Sequence, residues 1–109
     1  MAISTFPTPG AAKIDLQNRV QIKLDEGSPR HKVYENLSRA LAFSEAVRVE
    51  PLGDYLSRKN QGGEEFKSEL RSENNRVALV DRKNGIVLHM TTMTKGGKFI
   101  ELDSKDMDL

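Results

Sequence analysis

Two short apolar runs face each other across a glycine-closed turn, and this pattern restricts the fold more than anything else in the chain. Arg76–Val80 and Ile86–Thr91 flank Asp81-Arg82-Lys83-Asn84-Gly85. A loop of four residues, Arg82–Gly85, suits a type I turn with glycine closing it. The register then pairs Asp81 with Ile86, Leu79 with Leu88, Ala78 with His89, Val77 with Met90 and Arg76 with Thr91. Paired residues share a face of the sheet. Val77, Leu79, Ile86, Leu88 and Met90 make the natural core face; Arg76, Ala78, Val80, Val87, His89 and Thr91 make the other. A tight turn at Gly96-Gly97 pairs Lys95 with Lys98 and brings both lysines to that second face, with Met93, Ile100 and Leu102.

Upstream, Ile14, Leu16, Val20, Ile22 and Leu24 alternate with polar residues, and period two predicts a half-buried strand over Lys13–Asp25. Ser28-Pro29 is a helix-start signal, an N-cap hydroxyl followed by proline. Val33, Leu37 and Leu41 follow at i, i+4 and i+8, so a helix is expected from about Pro29 to Glu45. Arg30, His31 and Lys32 crowd its first turn, where the helix dipole is positive; they are either solvated or part of an anion-binding helix start. Ala46–Val49 reads as a short strand ended by Pro51 and Gly53. Arg58–Gly63 reads as an exposed loop, and Glu64–Arg71 fits a short helix or a strand equally well.

The chain has 109 residues, enough for one domain with one modest core. The expected division is a flexible arm over residues 1–12, a single α+β domain over residues 13–102 and a frayed acidic tail over residues 103–109. The fold expected is an antiparallel sheet of four to five strands packed against one main helix, the one starting at Ser28. Seventeen basic and sixteen acidic residues give a net charge of +1, so bulk charge points to neither nucleic acid nor membrane. There is no cysteine, which rules out disulfides, thiolate nucleophiles and Cys-based zinc sites, and makes a reducing cytoplasm the expected compartment. No apolar run is long enough to span a bilayer.

The second sheet face carries the chemistry. Histidine titrates near neutrality and passes protons, while arginine and lysine stabilise charge developing on phosphorus. His89, Arg76 and Lys95 are therefore candidate catalytic residues for metal-free RNA cleavage, in which a 2′-hydroxyl attacks the adjacent phosphate. Arg71, Arg58, Lys59 and Lys98 are candidate backbone-binding residues. No cofactor or metal is expected: two distant histidines do not make a zinc site, no glycine-rich phosphate loop ends in GK[ST], and the acidic tail lacks the rest of an EF-hand.

Glu69-Leu70-Arg71-Ser72, Asn75–Asp81, Gly85–His89 and Thr94–Lys98, with Glu50-Pro51-Leu52-Gly53 upstream, resemble the C-terminal sheet of the RelE/HigB-type toxins. That resemblance implies a small antiparallel sheet with helices on one side. It also implies ribosome-dependent mRNA cleavage by basic residues, here Arg71, Arg76, His89 and Lys95, and a protein antitoxin as partner. The chain departs from the pattern in having room for only one good helix before the sheet, no K-T-P after the last basic segment, and a near-neutral charge. The leading expectation is an RNA-directed, toxin-like endoribonuclease. The alternative is a non-enzymatic protein-binding module, such as an inhibitor, adaptor or phage-type accessory protein, gripping its target with the sheet edge or the Arg58–Gly63 loop.

Overall fold

The hairpin forms in the expected register. In the computed structural model, which describes residues 7–44, 46–64, 66, 76–91 and 99–109, β2 (Arg76–Asp81) pairs antiparallel with β3 (Ile86–Thr91). Val77 stands opposite Met90, Leu79 opposite Leu88 and Asp81 opposite Ile86. Gly85 closes the turn at φ +65°, a left-handed conformation that any Cβ would strain.

β1 (Ala46–Pro51) adds antiparallel to the other edge of β3, and β4 (Phe99–Asp103) adds to β2 in parallel, giving the order β1-β3-β2-β4. The sheet is therefore mixed and, among the described residues, four-stranded; the purely antiparallel sheet of four to five strands is corrected. The cause is occupancy. With β1 on one side and β2 on the other, β3 has no free edge. A tight turn at Gly96-Gly97 would lay residues 99–102 back along β3, whereas they run beside β2. Lys95 and Lys98 themselves lie outside the described residues.

Among the described residues three helices pack on the sheet, not one. The strand expected over Lys13–Asp25 is helix α1 (Pro9–Asp25). Thr8 caps it, its hydroxyl accepting from the Ala11 amide at 3.2 Å, and Pro9 takes the first helical position. Ala12, Leu16 and Val20 recur every four residues and are fully buried, whereas Ile14 and Ile22 of the same alternating set point to solvent. The expected arm over residues 1–12 is thus helical from Pro9 onward. Helix α2 (His31–Phe43) is shorter at both ends than expected and buries Tyr34, Leu37 and Leu41. Ser28 helps to form the turn before it, accepting from the Arg30 amide at 3.1 Å. Helix α3 (Leu52–Gln61) replaces the loop expected at Arg58–Gly63, and Gly62, left-handed at φ +58°, ends it.

The two sheet faces are covered differently. α1 and α2 close the first face over Val77, Leu79, Ile86, Leu88 and Met90. α3 covers part of the second, with Tyr55 against Ala78, Val80 and Val87. Two tethers fix this layering. Arg19 of α1 meets the fully buried Asp81 at 2.6 Å, and the Asn84 amide donates to the same carboxylate oxygen at 2.9 Å, pinning α1 to the hairpin turn. The C-terminal segment is the second. Ser104 and Met107 are buried, the Tyr34 hydroxyl donates to the Met107 carbonyl at 2.6 Å, and Arg30 donates to the Asp106 carbonyl. The tail expected to fray is docked. Arg30 is engaged there, and His31 lies 2.8 Å from Glu35, so the crowded helix start already has protein partners. Glu64 and Phe66 are described, but most of the helix-or-strand span Glu64–Arg71 is not.

Candidate functional site: a cationic cleft on the second sheet face

Strand pairing places the site residues in rows. On the second face Arg48, His89, Ala78 and Glu101 form one row across β1, β3, β2 and β4. Thr91, Arg76 and Phe99 lie in the row on one side of it; Glu50, Val87, Val80 and Asp103 lie in the row on the other. His89 thus has one arginine directly opposite on β1 and a second one row away on β2. A cleft of about 320 Å³ opens here, lined by Val47, Arg48, Arg76, His89, Met90 and Thr91. Arg48 and Arg76 are exposed, and among the described residues neither meets a carboxylate.

His89 forms part of the cleft wall, its side chain 19% exposed, and is held from behind. Its Nε2 lies 2.6 Å from Glu50 Oε2. Arg58 Nη2 donates to both Glu50 oxygens, at 2.6 and 2.7 Å, and its guanidinium also lies over the Tyr55 and Phe66 rings. The Tyr55 ring is 5.8 Å from the imidazole, and its hydroxyl donates to Glu101, which Lys59 pairs at 2.6 Å. A buried carboxylate is costly unless it is paired and hydrogen-bonded, and Glu50 meets both conditions.

These contacts set the charge states. Burial pushes the His89 imidazole below its ordinary value; the Glu50 hydrogen bond opposes this, and Arg48 and Arg58 add to the fall. Burial alone would raise Glu50, but hydrogen bonds from His89 and Arg58 outweigh it and hold the carboxyl below the usual range. Glu101 is likewise held low, the Lys59 and Tyr55 hydrogen bonds overcoming its burial, and Tyr55 is pushed well up by burial and by Glu101. At neutral pH the site therefore holds an uncharged imidazole in a cleft that two arginines also line. Such a combination can attract an anion and offers one ring lone pair to a proton.

His89 and Arg76, two of the expected catalytic residues, share this cleft. Lys95, Arg71 and Lys98 lie outside the described residues. Arg58 and Lys59 sit on α3 rather than on a loop, and each grips a carboxylate of the second face, Glu50 and Glu101 respectively. Sequence reasoning missed Arg48, Glu50 and Tyr55. The signal for the first two was the alternation Val47-Arg48-Val49-Glu50, which sets two charges on one side of a strand. Among the described residues, no group of three or more histidine and carboxylate side chains is arranged to share a metal ion. No helix among them is long and apolar enough to cross a membrane. No family model, curated protein or solved structure matches the chain.

Proposed function

We propose that this cleft binds the phosphate backbone of RNA and that the chain is a toxin-like, metal-free endoribonuclease. The supporting observation is that His89, Arg48 and Arg76 line one cleft, with Arg48 directly opposite His89 on β1, Arg76 one row away on β2, and Glu50 bonded to the imidazole. Arg48 and Arg76 hold the phosphate and take up charge as it becomes five-coordinate. His89 takes the proton of the attacking 2′-hydroxyl. The 2′-oxygen–phosphorus bond forms and the bond to the 5′-oxygen breaks. That oxygen leaves with a proton from the imidazolium, so the products are a 2′,3′-cyclic phosphate and a 5′-hydroxyl. The resemblance to RelE/HigB-type toxins favours a ribosome-bound message as substrate and an antitoxin as partner.

Induction in bacteria tests this reading. Growth arrest with degradation of message is expected from the wild type, and relief from His89→Ala and from Arg76→Ala. A harmless wild type that leaves RNA intact with and without ribosomes would refute it.

One observation favours the non-enzymatic reading. Among the described residues β4 is an edge strand, and beside it Val33, Leu37, Ala40, Val77, Ile100 and Leu102 line a largely apolar groove of about 280 Å³, with Ile100 44% exposed. An extended segment of a protein partner adding to β4 would cover it. A stable stoichiometric protein complex whose function is indifferent to Arg76→Ala would support that reading over the nuclease.

A further inference from the structure

Hydrogen-bond arithmetic around His89 decides which of its ring nitrogens is basic. Glu50 lies 2.6 Å from Nε2, and Arg58 bonds both oxygens of the same carboxylate. An ionised carboxylate only accepts and a guanidinium only donates. The neutral ring must therefore carry its proton on Nε2, which leaves the lone pair on Nδ1.

We propose that Glu50 is the positioning residue of this site: it holds His89 as the Nε2–H tautomer and so makes Nδ1 the atom that exchanges a proton with a ligand in the Arg48–Arg76 cleft. This rests on the reading of His89 as the proton carrier. The surroundings are consistent with it. Arg48 and Glu50 face the imidazole from β1, Tyr55 and Arg58 from α3, Arg76 from β2, and Glu101 stands in the same row on β4. The Tyr55 hydroxyl is committed to Glu101 and does not compete for the ring. Among the described residues Nδ1 has no hydrogen-bond partner. Glu50 also ties β1 to α3 through Arg58, and that fastening would by itself account for a buried carboxylate. The tautomer separates the two roles, because fastening does not depend on it.

The test is nitrogen NMR of the His89 ring in wild type and in Glu50→Gln. Arg58, which donates to both carboxylate oxygens in the wild type, keeps the carbonyl oxygen of the new side chain, and the amide NH₂ turns towards His89. The expected result is a proton on Nε2 in the wild type and on Nδ1 in the variant. A wild-type ring protonated on Nδ1, or the same tautomer in both proteins, would overturn the assignment. If the variant fails to fold, the wild-type ring decides: an Nε2 proton shifted strongly downfield by a hydrogen bond to carboxylate supports the assignment, and a proton on Nδ1 or an unshifted Nε2 proton overturns it. RNA incubated with the same wild-type sample separates the two readings. Intact RNA with the expected tautomer switch leaves the assignment standing and removes the nuclease; cleaved RNA without the switch does the reverse.

Discussion

At the scale of single residues, the second sheet face is a set of charges arranged so that one of them stays neutral. His89 is surrounded by Arg48 and Arg58, partly buried, and offset only by Glu50. Its folded state resists protonation, whereas the unfolded chain takes up that proton at the ordinary value of 6.5. Below 6.5 the unfolded state binds more protons than the native one, so stability falls as pH drops through this window. Glu50, Glu101 and Asp103 behave as depressed carboxylates. Their contribution is complete above the unfolded values of 4.5 and 3.8 and is lost as pH falls further, through the folded values. Acid should thus destabilise the protein in two stages. Urea unfolding across pH is expected to show the first stage in the wild type and a flatter profile above about pH 5 in His89→Gln. Equal slopes in the two proteins would mean that His89 does not resist protonation. The Arg19–Asp81 pair belongs to the same scale but to a different purpose. Removing one partner of a buried pair costs about 3–5 kcal/mol by stranding the other, and this one holds α1 to the hairpin.

At the scale of elements, α1 shows why part of the fold was legible in the sequence and part was not. Ile14, Leu16, Val20, Ile22 and Leu24 satisfy period two, yet Ala12, Leu16, Val20 and Leu24 also satisfy a four-residue spacing. The arbiter was local. Thr8 caps the start and Pro9 takes the first helical position, which favours the helix, whereas the similar Ser28-Pro29 precedes α2 in a turn without capping it. The two patterns make different mutational predictions. Leu16→Ala should cost about 2–5 kcal/mol in unfolding free energy, as a fully buried leucine does, and Ile22→Ala only about 0.5 kcal/mol or less, because Ile22 is exposed. Comparable losses at both positions would contradict α1. The β2–β3 hairpin was legible because turn chemistry and alternation agree there. The parallel placement of β4 was not, because nothing within residues 99–103 encodes which edge is free; that follows from β1 occupying β3. Gly62-Gly63 was read as a loop when Gly62 is a helix stop, and with α3 unseen, Tyr55 and the Arg58–Glu50 pairing were out of reach.

At the scale of the whole molecule, the two faces of the sheet are covered differently. α1 and α2 cover most of the first face, leaving the apolar groove beside β4, and the docked C-terminal segment, through Met107, completes that core. Among the described residues α3 closes only part of the second face, and the Arg48–His89–Arg76 cleft lies beside it. On the proposed reading a near-neutral chain holds a phosphate backbone through local charge: the two cleft arginines meet no carboxylate among the described residues, while Arg19, Arg58, Lys59 and Arg82 are paired. The most direct measurement is cleavage of a single-stranded RNA, free and on ribosomes, by purified protein in the presence of a chelator. The expected result is products ending in 2′,3′-cyclic phosphate, at a rate about 10²-fold or more lower for His89→Ala. Intact RNA with the wild type, or cleavage that His89→Ala leaves unchanged, would contradict it.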